Sequence, residues 1–429
     1  MRDSDETLNI AFFCWEFPPM IYGGLGIYAQ NITREFVKMG HNVTVFTLNE
    51  DDKYRTEEVW RGVQVFRPGF TSMGSSLECF LPSDMVEKWG KNGMNFFSRM
   101  MCYNHISSTM LVNWLIKKEK RKFDIVVAHD WLGVPGALAT KDATELPMIF
   151  HVHSSEVGRS LGKPTRRIVD LELMGAEKAD LVITVSNAMK EELISTHFPP
   201  EKIRVCHNGI DTERTFNPEL IDKDRMAKIR EEYGVREDEN LLLFIGRLEP
   251  VKGVENLIRA MAIVLEENPK TKLLILGRGS LLGVVKSTIK SLGLEKNVFL
   301  NTEFVDDETK VHCYAASDCC VFPSLYEPFG IVALEAMAMS RPLVVGTRGI
   351  SGFRELVVPP PSSDATGIHV DPNKPSDIAW GINEILKDEA RAENFGENGR
   401  VRVMGYFAWE KIARETIEIY KEAISKCGC

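Results

Sequence analysis

The chain has 429 residues, 44% of them hydrophobic and 26% charged, which is ordinary for a globular enzyme but too long for one core, so two or three domains are expected. A net charge of -9 argues against nucleic acid as a partner, whereas a sugar or glucan needs no basic surface. No window reaches the ~20 apolar residues of a membrane span, so no transmembrane segment is expected.

Residues 1–6 form an acidic start without the apolar stretch of a signal peptide. Nine cysteines, at 14, 79, 102, 206, 313, 319, 320, 427 and 429, are scattered and fall largely in apolar runs. That pattern points to reduced thiols in a cytoplasmic protein, not to a disulfide framework. The tail Cys427-Gly428-Cys429 offers only two metal ligands and reads as a frayed terminus.

The first predicted strand, 8–13, leads into Trp15-Glu16-Phe17-Pro18-Pro19-Met20-Ile21-Tyr22-Gly23-Gly24-Leu25-Gly26, and a helical pattern follows over 26–39. Glycines at a strand end let backbone N–H groups approach an oxyanion, and the helix behind adds its dipole. A tight turn without a ligand fits the same residues. The spacing is not GxGxxG, so no dinucleotide is implied. Strands are predicted at 42–47 and 63–67. An apolar helical stretch, 110–116, then ends in the basic run 117–122. That run suits a solvated helix C-terminus, or peripheral contact with an anionic membrane.

The strand 124–128 delivers His129-Asp130-Trp131, and the strand 148–153 delivers His151 and His153 ahead of Ser154-Ser155-Glu156. His151 and His153, two apart, point the same way on a regular strand. Such histidines are satisfied core groups, partners of sugar hydroxyls, or ligands of a metal. With no acidic DxD element at a strand end, no metal is expected. Strands at 181–185 and 202–207 close this series. Asn208-Gly209-Ile210-Asp211 and the charged stretch 212–224 mark a boundary.

A second series opens with the strand 240–245, which runs into Gly246-Arg247-Leu248-Glu249-Pro250-Val251-Lys252-Gly253. Arg247 and Lys252 place two cations on one strand-end loop, where they would stabilise the charge growing on a departing diphosphate. The strand 272–276 ends in Gly277-Arg278-Gly279, which fits close approach to a nucleotide and an ordinary turn about equally. Strands at 298–301, 319–322, 342–346 and 367–370 complete the series. After 319–322 comes Pro323-Ser324-Leu325-Tyr326-Glu327-Pro328-Phe329-Gly330-Ile331, then a helix-forming run that carries Glu335. A helix start there could face an anion while Glu327 and Glu335 hold neutral hydroxyls, the mixture that a nucleotide sugar presents.

Strand–helix alternation predicts an α/β protein of two doubly wound, Rossmann-like domains, with ligands beyond the strand C-terminal ends. The expected division is 1–211, joined by a C-terminal helix at 409–429, and 212–408.

Together these motifs resemble the retaining GT-B glycosyltransferases, in the large family that includes glycogen and starch synthases. The frame from Glu327 to Glu335 is the strongest part. Gly23-Gly24-Leu25-Gly26, His129-Asp130-Trp131, His153, Asn208-Gly209-Ile210-Asp211 and Gly246-Arg247 with Lys252-Gly253 support it. The resemblance implies that Arg247 and Lys252 bind the donor diphosphate and that Glu327 holds sugar hydroxyls. It implies that the Phe329, Gly330 and Ile331 amides face the donor, that Glu335 accepts from the ribose, and that His153 contacts the donor sugar near the reacting carbon. Gly23, Gly24 and Gly26 would close on the diphosphate, and His129, Asp130, Asn208 and Gly277 count among the substrate-binding residues.

The implied activity is retaining hexosyl transfer with no metal and no cofactor beyond the nucleotide diphosphate sugar co-substrate, most simply extending an α-1,4-glucan. Bacterial glycogen synthases carry Lys two positions before the Gly-Gly pair, where this chain has Ile21, so ADP-glucose, UDP-glucose and other donors stay open. Transfer to a lipid, sugar phosphate or other small acceptor is the alternative, and a sugar-nucleotide 2-epimerase of the same fold is the alternative of another class.

Overall fold

The computed structural model describes residues 7–50, 53–71, 73, 76, 81–303 and 305–427. Residues 1–6, Cys79, Gly428 and Cys429 lie outside it. The first sheet contains β1 (Asn9–Phe13), β2 (Asn42–Phe46), β3 (Glu57–Trp60), β4 (Val63–Phe66), β5 (Ile125–His129), β6 (Met148–Val152), β7 (Leu181–Thr184) and β8 (Ile203–Val205). Its order is β3-β4-β2-β1-β5-β6-β7-β8. The second contains β9 (Asn240–Ile245), β10 (Thr271–Leu276), β11 (Val298–Asn301), β12 (Cys319–Phe322), β13 (Leu343–Gly346) and β14 (Gly367–Val370). Its order is β11-β10-β9-β12-β13-β14.

Helices cover both faces, so the central strands are buried throughout: every residue of β5, β6, β7, β12 and β13 is buried. Runs such as Ile-Val-Val-Ala-His and Cys-Cys-Val-Phe are therefore continuous apolar runs, not alternating ones. Pairing is parallel except for β3, which runs antiparallel to β4. The sequence reading missed that strand: half of Glu57-Glu58-Val59-Trp60 is exposed and the rest only half-buried, so no burial signal announces it.

Strand order reverses at β1, which lies between β2 and β5, and again at β9, between β10 and β12. Ligands collect at such switch points. The first brings the loop after β1 beside the loops after β5 and β6. The second brings the loop after β9 beside the loop after β12.

The last helix, Trp409–Cys427, belongs physically to the first sheet. Its Trp409, Ile412, Ile417 and Tyr420 share a core with β1, β2 and the helix Gly24–Lys38. Gly209 permits this return, because a Cβ there would lie 2.6 Å from the Trp409 ring. The basic run 117–122 begins in the last turn of a π-helical stretch, Met110–Lys118. Lys118 Nζ lies 3.6 Å from the Trp114 ring centre, and Arg121 pairs with Glu119 at 2.6 Å. Among the described residues, no helix is long and apolar enough to cross a membrane.

Candidate active site at the two switch points

The glycine loop after β1 is organised by a residue that the sequence reading passed over. Glu16 Oε2 accepts the Tyr22 and Gly23 amides at 2.9 and 3.1 Å, and a Cβ on Gly26 would lie 3.0 Å from the same oxygen. Burial pushes the Glu16 carboxyl pKa up, against those amide bonds. Arg67, fully buried, clamps the loop from behind: Nη2 donates to the Pro18 carbonyl and Nη1 to Glu58 Oε1 at 2.6 Å. The loop is therefore held from both sides before any ligand arrives.

Next to it, β5 and β6 pair with His129 opposite His151. The three histidines form one cluster. His151 stacks on His153 with ring centres 4.2 Å apart and planes 16° apart, and Tyr28 covers His153 at 4.7 Å. His129 Nδ1 and His153 Nε2 are 3.0 Å apart. His129 and His151 are fully buried, and burial drives both pKa values well below the usual imidazole range. Burial brings His153 down to about 3, so all three are neutral near pH 7.

One nitrogen from each ring lies within 4.8 Å of the others, so the cluster is a candidate for a metal ion. Lone pairs lie in the ring planes, however. Two nearly parallel rings 4.2 Å apart cannot both aim at an ion ~2.0–2.1 Å from each nitrogen. The cluster as folded is a stack, not a chelate.

Two residues expected to touch substrate are already engaged within this cluster. His129 is fully buried, packs against Phe12 with ring centres 3.9 Å apart and touches His153 through Nδ1. Asp130, in the left-handed region at φ 52°, turns its Oδ1 onto the His153 amide at 2.7 Å and the Ser154 amide at 3.3 Å. Burial raises its carboxyl pKa to about 6, against Arg159 and these two amides. Asp130 thus shapes the turn that carries His153.

At the second switch point, the loops after β9 and β12 are sewn together. The Leu325 amide donates to the Val251 carbonyl at 2.7 Å, and Gly253, at φ 66°, leaves room for the Pro323 carbonyl, which a Cβ would meet at 2.0 Å. This brings Lys252 Nζ within 2.6 Å of Glu327 Oε2, which also accepts from Ser324 Oγ at 3.1 Å. Arg247, on the same loop, is exposed and has no carboxylate within ion-pair distance among the described residues. Gly277 has a packing reason of its own: a Cβ would lie 2.0 Å from the Gly246 carbonyl.

Gly330, at φ 108°, caps the helix Ile331–Ala338, and no side chain caps its N-terminus. A helix start without a side-chain cap offers its first amides to an anion. Glu335, on this helix, is buried and already engaged. Lys310 Nζ reaches Oε1 at 2.8 Å, and the Tyr314 hydroxyl reaches Oε2 at 2.8 Å. Burial lowers the Lys310 pKa, but Glu335 and Asp307 outweigh that, so the net shift is upward and the lysine stays charged. Each Glu335 oxygen keeps a second lone pair for a hydroxyl.

The two halves meet across the site. Ile331 Cδ1 lies 3.5 Å from where a Gly24 Cβ would sit, so the glycine loop faces the uncapped helix start. A cavity of about 240 Å3 between the halves is lined by Asn31, Arg34, Asp211, Lys310, Glu335 and Trp409, among others. Asn208 is buried beside it in sequence, its Oδ1 without a partner among the described residues. A lysine paired with a buried acid, a few residues before an uncapped helix start, can hold a phosphorylated ligand that also carries hydroxyls.

The family model described as Glycosyl transferases group 1 matches residues 225–402, and that described as Glycosyltransferase Family 4 matches residues 22–214. The chain is 33% identical over 430 residues to an uncharacterized glycosyltransferase of Methanocaldococcus jannaschii, covering 98% of this chain and 100% of the relative. It is 29% identical over 429 residues to a glycogen synthase of Mycobacterium tuberculosis, covering 97% and 95%. The sucrose-phosphate synthase structure from Thermosynechococcus elongatus superimposes with a TM-score of 0.75 at 23% identity, over 98% of this chain and 100% of that one, a likeness of fold.

Proposed function

Because the chain belongs to the group 1 glycosyl transferases and has the GT-B fold, we propose that it moves a hexose, glucose first, from a nucleotide diphosphate sugar to a hydroxyl acceptor with retention at the anomeric carbon. The simplest acceptor is an α-1,4-glucan, as the glycogen synthase likeness suggests. Residues 1–211 with the last helix form the acceptor side in this reading, and 212–408 the donor side. The proposed setting is cytoplasmic.

One observation carries the reading: Lys252 and Glu327, 2.6 Å apart, lie beside an uncapped helix start that faces the glycine loop. Lys252 and Arg247 offset the charge that grows on the diphosphate as the anomeric C–O bond breaks. Glu327 accepts sugar hydroxyls, Glu335 the ribose hydroxyls, and His153 lies against the sugar. The acceptor oxygen bonds to the same face of the anomeric carbon, and its proton passes to the departing phosphate oxygen. The protein supplies position and field, and the step needs no metal.

The test is incubation with radiolabelled ADP-glucose and UDP-glucose, with glycogen as primer. Label in the polymer from either donor is the expected result. No label from either overturns the glucan reading. Proton exchange at sugar C2 without an acceptor, seen by NMR, would replace transfer with epimerisation.

A further inference from the structure

We propose that Tyr326 is a positioning residue: seated from the donor half in a socket of the acceptor half, it holds His153 in register with the Lys252–Glu327 pair. The proposal deepens the reading above and rests on His153 lying against the donor sugar.

The socket has the shape of this ring. Tyr326 is buried in one core with Phe150, Val152, Val182 and Met189 of the first half. Val251 belongs to the same core and Ile350 packs against it, so three side chains of the second half enter the first. A Cβ on Gly158 would lie 2.0 Å from the Tyr326 ring, so glycine at that position leaves the ring its place.

The hydroxyl satisfies the polar end of the socket. It accepts the Ser155 amide and donates to Glu192 Oε2, both at 3.1 Å. Glu192 Oε1 accepts from Ser155 Oγ at 2.9 Å, and that hydroxyl in turn accepts the Gly158 amide at 3.0 Å. Ser155 is buried, so its amide depends on the tyrosine oxygen.

Each side of this contact leads to a residue of the transfer step. Ser155 stands two positions after His153, in the turn whose His153 and Ser154 amides are held by Asp130. Asp130 belongs to the same half, so it sets the shape of the turn. Among the described residues, Tyr326 is the hydrogen-bond link from that turn to the other half. On the donor side, the Val251 carbonyl accepts the Tyr326 amide at 3.3 Å, and the Glu327 amide donates to the Ile350 carbonyl at 3.2 Å. Val251 and Tyr326 are the chain neighbours of Lys252 and Glu327, whose side chains meet at 2.6 Å. One hydroxyl therefore connects the backbone that carries this pair to the backbone that carries His153. Groups that act on one substrate from two halves need such a register, since a misplacement of about 1 Å costs up to ~100-fold in rate.

Tyr326→Phe keeps the ring and removes the hydroxyl, whereas Gly158→Ala keeps the hydroxyl and fills the socket. Transfer from radiolabelled ADP-glucose or UDP-glucose to glycogen gives kcat, and isothermal titration with ADP and UDP reads the donor half alone. Both variants, checked by melting curves to be folded, should lose ~10- to 100-fold in kcat with nucleotide affinity unchanged. In a His153→Ala background the same substitutions should cost little more. A tyrosine that only stabilised the fold would lower the melting temperature of Tyr326→Phe and leave kcat at the wild-type value. That outcome overturns the positioning role alone, as does a loss of nucleotide affinity in place of kcat, or an equal rate factor with and without His153. No transfer by the wild-type protein overturns the reading above and this proposal with it.

Discussion

Lys252 and Arg247 share a loop but not an environment. Lys252 is bonded to a buried carboxylate, while Arg247 stands exposed. Arg247→Ala should therefore lower kcat/KM by ~100-fold, about 3 kcal/mol of barrier, and leave the melting temperature unchanged. Lys252→Ala should cost a similar factor in rate and also ~1–3 kcal/mol of stability, because Glu327 is left buried without its cation. Kinetics and thermal melts of the two variants check both statements. Equal stability in the pair would mean that Glu327 finds another partner, and near-normal turnover would place the diphosphate elsewhere. Both cations and both acids were legible in the sequence, since each follows a strand in a motif. Glu16, Arg67 and Lys310 were not. Arg67 meets Pro18 from 49 positions away, and Lys310 meets Glu335 from 25, so only the folded chain shows what they touch.

At the level of elements, the helix Ile331–Ala338 depends on a glycine for two reasons. Gly330 adopts φ 108°, and the Phe353 ring lies 2.2 Å from where its Cβ would sit. Gly330→Ala should combine backbone strain with overpacking, at ~2–4 kcal/mol of stability, and should tilt the helix start away from the donor. Chemical denaturation and nucleotide-sugar affinity should both fall. A stable variant with intact affinity would show that the amides do not read the donor. The buried strands were easy to read because apolar, β-branched runs have few alternatives. The edge strand β3 was not, since none of its side chains is fully buried. The glycines were readable as positions but not as causes. Gly253 and Gly277 make room for neighbouring carbonyls, whereas Gly24 faces Ile331 across the site.

Across the whole molecule, Tyr326 ties the two halves together. Its hydroxyl accepts the Ser155 amide and donates to Glu192 Oε2, both at 3.1 Å, and Gly158 leaves room for its ring. Ser186 Oγ reaches the Pro328 carbonyl at 2.6 Å. Glu355 completes the contact by accepting from the Ala188 amide and the Asn187 side chain, both at 2.9 Å, beside His207 Nε2 at 3.1 Å. Burial raises the Glu355 pKa, but the bonds from His207, Asn187 and Ala188 outweigh it and bring it down to about 2. A carboxyl held below its ordinary value of 4.5 stabilises the fold fully above that pH, and its contribution is lost as the pH falls toward 2. Glu355→Gln should therefore destabilise the protein at pH 7 by about 1–2 kcal/mol, a value reduced for its partial exposure, and the difference from wild type should shrink below pH 4.5. Melting curves of both proteins across that range test the sign. A difference that does not change with pH would mean that the charge is not what holds the halves. Small-angle scattering without nucleotide sugar should show the variant more open than wild type, with donor restoring the compact form, because closure would then draw on ligand contacts instead of this carboxylate.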